Sequence, residues 1–235
     1  MSPNIFTSLE HPPTNEEVRS AIAEGVTIFD FDLDQDGGVQ AAKIVNRLGG
    51  HVTAYHVGGG GGRAWGSVAA GEQVRGYRND DELAQLSSDV ERLVRMGANS
   101  IHFDNTHRMS GRTLSKVSAA VVAGGARLVL KNNPEKWNLL IKREPETLRH
   151  VSYAVIEGAI SDKWETEQAK RLSAAGLAVY VIAFVKGFDK GSQSVTPERA
   201  IDFVEKNSWA RVILMKNEAA YDSRDAQFFG FDERA

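Results

Sequence analysis

The sequence predicts an α/β protein folded as a (β/α)8 TIM barrel, and three observations lead to that prediction. Short apolar runs rich in β-branched residues alternate along the chain with longer segments of helical periodicity. Eight such runs can be distinguished, which is the strand number of this barrel. The length of 235 residues also suits one barrel, and no Pro/Ser-rich linker interrupts it, so residues 1–235 are predicted to form a single domain.

The predicted strands are mostly continuous apolar runs, as expected for parallel strands that are covered on both faces. An open doubly wound sheet is the main structural alternative, because it uses the same alternation of strands and helices. The runs span Asn4–Leu9, Val26–Leu33, His51–Gly58, Ser100–Thr106, Ala126–Asn132, Val151–Ile160, Ala178–Val185 and Ala210–Lys216.

The segments between these runs contain helix start and stop signals. Thr14 with Glu17 matches a capping box, and Thr196 followed by Pro197 is a typical helix start. An apolar stripe from residue 83 to residue 94 is followed by Gly97, a residue that commonly ends helices. These signals predict crossover helices between the strands.

Composition excludes several classes of function. The formal net charge is -3, and no cluster of Lys and Arg provides the basic surface that nucleic-acid binding requires. No apolar stretch approaches the length of a membrane span, and no signal peptide is recognisable, so we expect no membrane partner. The chain as written is expected to be cytoplasmic, or secreted if a leader has been removed. The absence of cysteine excludes disulfides and thiol catalysis.

Polar side chains cluster where the predicted strands end. In a barrel these ends meet at one rim, which carries the loops that form active sites. Polar groups at strand ends are energetically costly unless they are paired or used in function, so five consecutive strands ending this way predict a site. The candidates on these strands are Asp30, Asp32, Tyr55, His102, Asp104, Asn105, Lys131, Asn132 and Glu157.

The acidic segment after the second strand allows more than one interpretation. An EF-hand loop starting at Asp32 is excluded because its twelfth position is Lys43 and not Glu. Asp30 and Asp32 alternate with apolar residues and therefore share one face of the strand. They are candidate substrate ligands, or, in a phosphate-handling alternative, the nucleophile and its partner.

A run of five glycines precedes Arg63 and Trp65. The run could hold a phosphate, but it lacks the Gly-Lys-Ser/Thr ending of a P-loop and the spacing of a dinucleotide site. A rim loop in which Trp65 is a stacking surface for a sugar is favoured.

Asp104 and Glu157 each end a predicted strand, the fourth and the sixth. Glycoside hydrolysis needs two carboxyl groups on either side of the scissile bond, one protonated and one ionised. The two residues are therefore candidate catalytic carboxylates. The structural alternative is that each is only an ion-pair partner of Lys131 or Lys216.

The order of these motifs resembles glycoside hydrolase family 114, the endo-α-1,4-polygalactosaminidase-like barrels. The resemblance extends from about Val26 to Val185 and rests on five short elements in the same order. They are Phe29-Asp30-Phe31-Asp32, the Tyr55 strand with the loop to Trp65, Phe103-Asp104-Asn105, Leu130-Lys131-Asn132 and Val155-Ile156-Glu157.

The resemblance implies an endo-acting glycosidase for a galactosamine-containing polysaccharide, with Asp104 and Glu157 catalytic and the other candidates lining the sugar site. His102 departs from the family, which commonly has Glu there, so the charge of the subsite is expected to differ. We expect no metal and no organic cofactor, since no Cys/His cluster has zinc spacing. The alternatives are a non-catalytic carbohydrate-binding barrel and the phosphate-handling enzyme, and the sequence leaves the oligomeric state open.

Overall fold

The structure is a computed structural model that describes residues 4–8, 11–57, 80–104, 109–186, 194–217 and 222–230. The side chains at positions 56, 57, 104 and 217 are not among the described parts. No helix in these ranges is both long and apolar enough to cross a membrane.

Eight parallel strands in chain order form a sheet in which each strand pairs with the next one along the chain. All eight strands predicted from the sequence are present, and the (β/α)8 class is confirmed. The strands are β1 (Ile5–Ser8), β2 (Ile28–Phe31), β3 (His51–Val57), β4 (Ser100–Asp104), β5 (Arg127–Lys131), β6 (Val151–Glu157), β7 (Val179–Lys186) and β8 (Ala210–Asn217).

Helices connect the strands, as parallel neighbours require. A 3-10 helix, Pro145–His150, precedes β6. The α-helices are α1 (Asn15–Ala23), α2 (Gly38–Arg47), α3 (Asp80–Met96), α4 (Gly111–Ala123), α5 (Pro134–Arg143), α6 (Lys163–Ala174) and α7 (Pro197–Lys206).

The predicted helix boundaries have the expected local chemistry. The Thr14 hydroxyl accepts from the backbone N–H of Glu17, and the Glu17 carboxylate accepts from the backbone N–H of Thr14, which completes the capping box. The Thr196 hydroxyl accepts from the backbone N–H of Arg199 at the start of α7. Gly97 ends α3 with φ +116°, a conformation that favours glycine.

The C-terminal segment contacts both ends of the sheet. A ninth strand, β9 (Gln227–Phe229), pairs antiparallel with β8. A few residues earlier, the Ser223 backbone N–H donates to the Thr7 carbonyl at 2.9 Å, and the Thr7 N–H donates to the Ser223 hydroxyl at 2.9 Å. The chain therefore bridges β8 and β1 through residues 222–229. The sequence did not predict β9, because three residues are too short to show a strand pattern.

Two hydrophobic clusters divide the core. The larger one contains residues from both strands and helices and forms the layer between the sheet and its helical cover. The buried members of the smaller one come only from strands and therefore lie on the inner face of the curled sheet. Those members are Ile5, Tyr55, Val129, Tyr153, Val155, Tyr180, Ile182, Phe184, Ile213 and Met215.

Candidate functional site

Most of the predicted site residues lie on the strand faces that point into the barrel. Side chains alternate between the two faces of a strand, so a residue two positions from an interior residue also points inward. Lys131 follows the interior residue Val129 by two positions, and Glu157 follows Val155 in the same way. Asp30 and His102, which lie on β2 and β4, are in direct contact with each other. Their side chains can meet only inside the barrel, because β3 lies between the two strands.

Glu157, the last residue of β6, is held by two neighbours from the adjacent strand end. The Lys131 ammonium donates to one carboxylate oxygen at 2.6 Å, and the Asn132 amide donates to the other at 3.0 Å. The Glu157 backbone N–H in turn donates to the Asn132 side-chain oxygen at 2.8 Å. The Glu157 side chain is 31% exposed, whereas the Lys131 side chain is 2% exposed. A fixed carboxylate therefore faces solvent above a buried ammonium.

The backbone after β5 explains the position of Asn132. Asn132 and Asn133 both have φ +48°, the left-handed conformation that asparagine tolerates better than most residues. This turn lets Asn132 bond both the backbone and the carboxylate of Glu157 before Pro134 starts α5. The Asn-Asn pair thus has a backbone role that its sequence pattern did not reveal.

A buried hydrogen bond joins Asp30 to His102. The distance from His102 Nδ1 to Asp30 Oδ2 is 2.6 Å, and the two side chains are 0% and 2% exposed. The Tyr153 hydroxyl lies 3.3 Å from the same Asp30 oxygen and 3.1 Å from the Thr53 hydroxyl. Burial and then the nearby charge of Asp30 raise the pKa of Tyr153 well above its usual value, so this hydroxyl stays protonated.

Tyr55 packs edge-on against the His102 ring, with ring centroids 5.4 Å apart and an interplanar angle of 83°. Tyr55 is itself buried. The contact limits rotation of the imidazole on one side while Asp30 holds its Nδ1 atom on the other. His102 is therefore fixed in orientation.

Asp32 lies just beyond the end of β2 and is also buried. One carboxylate oxygen accepts from the backbone N–H of Asp34 at 2.8 Å. Burial raises the pKa of Asp32 from 3.8 to about 6, and the hydrogen bond from Asp34 offsets only part of that effect. Asp32 is thus a carboxyl group that changes protonation near neutral pH.

Three buried polar atoms in this region have no hydrogen-bond partner within the described structure: Asp30 Oδ1, Asp32 Oδ2 and His102 Nε2. A buried polar atom without a partner is destabilising by roughly 1–3 kcal/mol, and such atoms are uncommon. Three of them on or just beyond β2 and on β4 indicate a place where water or a ligand supplies the missing hydrogen bonds.

Glu165 was not identified from the sequence. Glu165 lies in the first turn of α6. Its carboxylate is close to Gly158, the residue after Glu157, since a Cβ atom added at Gly158 would lie 3.2 Å from Glu165 Oε2. Burial, followed by the charges of Asp162 and Glu157, raises the pKa of Glu165 to about 7. The only available sequence signal was an acidic residue in a helical first turn, and such residues are usually caps.

The remaining candidates are only partly described or lie outside the described residues. Asp104 ends β4, and one strand, β5, separates it from β6 and Glu157. The side chain of Asp104 lies outside the described parts. So do the residues Asn105 and Trp65 and the glycine run. Lys216, the other lysine that could have paired with an acid of the site, lies 3.9 Å from Asp225 on the surface.

The described residues contain no group of three or more His, Asp or Glu side chains that could hold a metal ion. Asp30 instead contacts His102 and Tyr153, and Asp32 contacts the backbone N–H of Asp34 and the side chain of Gln35.

Comparisons with known proteins identify the fold. Neither a protein-family model nor a curated protein sequence matches this chain. Among solved structures, Ega3 from Aspergillus fumigatus, crystallised with galactosamine, is similar with a TM-score of 0.63 and 15% identity over 93% of this chain and 91% of that one. The glycoside hydrolase domain of PelA from Pseudomonas aeruginosa is similar with a TM-score of 0.56 and 13% identity over 92% and 94%. The predicted resemblance is therefore confirmed in the fold.

Proposed function

We propose that this chain is an endo-acting glycoside hydrolase for a galactosamine-containing or related amino-sugar polysaccharide. Asp104 and Glu157 are its two carboxylates. The observation that carries the proposal is the environment of Glu157: a partly exposed carboxylate at a strand end, oriented by Lys131 and Asn132. An oriented carboxylate at the barrel rim is what attack on a sugar carbon, or activation of water, requires.

The ammonium beside Glu157 favours one division of the two roles. Glu157 has an ammonium 2.6 Å away, which suits the member that acts in its ionised form, as nucleophile or general base. Asp104, at the end of β4, then supplies the proton to the leaving oxygen. Asp30, Asp32, Tyr55, His102, Lys131 and Asn132 form the floor and wall on which the sugar rests, and Trp65 and Asn105 complete the predicted set.

The structural neighbours support the substrate class. Ega3 was solved with galactosamine, and the PelA domain is a glycoside hydrolase domain. Both share the fold of this chain over almost its whole length.

The second candidate is a carbohydrate-binding barrel without catalysis. The observation that favours it is the Lys131–Glu157 ion pair, since a paired glutamate can be retained for structure alone. Such a protein would bind amino-sugar oligomers and release no new reducing ends.

Site-directed variants separate these two functions. We expect Asp104→Asn and Glu157→Gln each to lower the release of reducing ends from a partly N-acetylated galactosamine polymer by at least about a hundredfold. Both changes keep the shape of the side chain, so circular dichroism spectra should be unchanged. Asp202→Asn on α7 and Glu146→Gln on the 3-10 helix, both at exposed positions, are the matched controls. Near-normal turnover in either site variant would remove that residue from the catalytic pair, and no turnover by the unmodified chain would favour the binding protein.

A further inference from the structure

A cavity of about 380 Å³ lies in the outer layer of the barrel. Ala119, Val122 and Ala123 of α4 and Leu128 of β5 give it an apolar wall, and the segment that follows α5 forms the opposite side. Leu128 belongs to the core layer between the sheet and the helices, whereas its neighbour Val129 points into the barrel. The cavity is therefore separate from the proposed sugar site, and its volume suits a small organic molecule.

The side opposite α4 carries a carboxylate that has no cation partner in the described structure. Glu144, the residue after α5, lines the cavity and accepts from the Ser115 hydroxyl through both of its oxygens, at 2.9 and 3.0 Å. One hydroxyl hydrogen is thus shared between two oxygens. A carboxylate has about four acceptor positions, so Glu144 can accept further hydrogen bonds from a bound molecule.

A buried hydroxyl in the same lining also lacks a partner. Ser118 is 5% exposed, and its Oγ atom has no hydrogen-bond partner within the described structure. A serine hydroxyl inside a helix can bond to the carbonyl one turn earlier, but Ser118 does not make that bond. Thr147 of the 3-10 helix, 7% exposed, is a second buried hydroxyl residue in the lining. The cavity therefore combines an apolar wall with polar groups that a ligand can use.

The charges that line the cavity favour a cation. Glu144 and Glu146 are its two acidic residues, and His150 is its one basic side chain. The other basic residues of α4, of the last turn of α5, of the 3-10 helix and of the start of β5 are exposed and do not line the cavity. They are Arg112, Lys116, Arg127, Lys142, Arg143 and Arg149.

Two helix ends add to this preference. α4 ends at Ala123 and α5 at Arg143, and both Ala123 and Glu144, the C-cap of α5, line the cavity. The C-terminal end of a helix carries a partial negative charge, which stabilises a nearby cation. The helix ends and the two carboxylates therefore act in the same direction.

We propose that this cavity is a binding site for a small organic cation with an apolar body, of the aryl-alkyl amine type. The ammonium donates to Glu144, and the hydrocarbon part packs against Val122 and Leu128. The Ser118 hydroxyl gains a hydrogen-bond partner in the ligand. The site takes no part in the proposed hydrolysis, so its test is independent of that function.

Three probes of nearly equal size and different charge test the ligand class on the full chain. They are phenethylamine, phenethyl alcohol and hydrocinnamate, which carry an ammonium, a hydroxyl and a carboxylate. We expect calorimetry to show phenethylamine binding at least about tenfold more tightly than the alcohol, and no binding of hydrocinnamate. At about ten times its Kd, phenethylamine should raise Tm by about 3–6 °C.

Two variants link the binding to this cavity. Glu144→Gln keeps the size of the side chain and an acceptor for Ser115, and it should weaken phenethylamine binding at least about tenfold without changing that of the alcohol. Ala119→Leu, at an exposed position of α4, extends the wall into the cavity and should abolish binding of both. Glu205→Gln, at an exposed position of α7, is the matched control. If either cavity variant does not fold, the three probes still decide the question on the unmodified chain.

Each contrary result overturns the proposal in a different way. Phenethyl alcohol binding as tightly as phenethylamine would contradict the preference for a cation. Amine binding that Glu144→Gln leaves unchanged would place the ligand elsewhere on the protein. Binding of a lysine-containing peptide without binding of phenethylamine would assign the cavity to a protein partner. No binding of any probe up to about 5 mM would remove the site altogether.

Discussion

Two close side-chain contacts of nearly equal length give a direct test of how much the buried Asp30–His102 contact contributes to the fold. Asp30 and His102 are 2.6 Å apart with side chains 2% and 0% exposed. Asp202 and Lys206, one turn apart on α7, are 2.5 Å apart with side chains 58% and 69% exposed. The first contact is buried between strands and the second is exposed on one helix, so we expect very different effects on stability.

Asp30→Ala is expected to lower the free energy of unfolding by about 3–5 kcal/mol, because the change leaves the buried His102 ring without its hydrogen-bond partner and removes an acceptor from Tyr153. Asp202→Ala should change it by less than about 0.5 kcal/mol, since water screens an exposed pair on a helix. For a chain of this size, the first change corresponds to a fall in Tm of about 6–20 °C.

Urea unfolding followed by circular dichroism measures both values on the same scale. A double-mutant cycle with His102→Ala should also show a coupling energy of at least about 1 kcal/mol between residues 30 and 102. The reasoning is refuted if Asp30→Ala destabilises the protein no more than Asp202→Ala does, or if the two changes at residues 30 and 102 are additive.

Three further predictions follow from single contacts. Burial raises the pKa of Asp32 from 3.8 to about 6 in the folded state, so the folded protein loses about 3 kcal/mol of stability as the pH rises from about 4 to about 6. Asp32→Asn should abolish this pH dependence, which urea unfolding at several pH values would measure. Gly38→Ala should destabilise the protein and disturb the turn after β2, because the new Cβ would lie 2.7 Å from the Leu33 carbonyl oxygen and 2.8 Å from that of Asp32. Gly111→Ala is the control and should not destabilise the protein, because no atom lies within 4 Å of its Cβ position. Hydrolysis should persist in EDTA because two carboxylates suffice for the reaction; loss of activity that magnesium restores would move the function to Asp30 and Asp32.

The strands were predictable because each one is a short apolar run between helix signals. The Thr14 capping box and the Gly97 stop mark their helices independently of any tertiary contact, so local chemistry sufficed to place them. β9 was not predictable in this way. It exists because the two ends of the sheet leave unpaired backbone groups, and a tertiary requirement of that kind leaves no periodic pattern in three residues.

The candidate site was predictable only as a set of strand-end residues. Alternation along β2 placed Asp30 and Asp32 on one face, and the structure has both buried near the rim. The pairing of Asp30 with His102 across β3, and the approach of Glu165 to Gly158, depend on contacts between residues that are distant in the chain or on different elements. The sequence predicted which side chains would gather but not which partner each would take.

A crystal of the Glu157→Gln variant soaked with a partly N-acetylated galactosamine oligomer would show directly where the sugar binds, because the substitution keeps the size of the side chain while stopping turnover. We expect a sugar ring at the carboxyl ends of β4 and β6, between residues 104 and 157, with polar groups directed toward Asp30, Asp32 and His102. An oligomer bound elsewhere on the barrel, or side chains at positions 104 and 157 directed apart by more than about 10 Å, would contradict it.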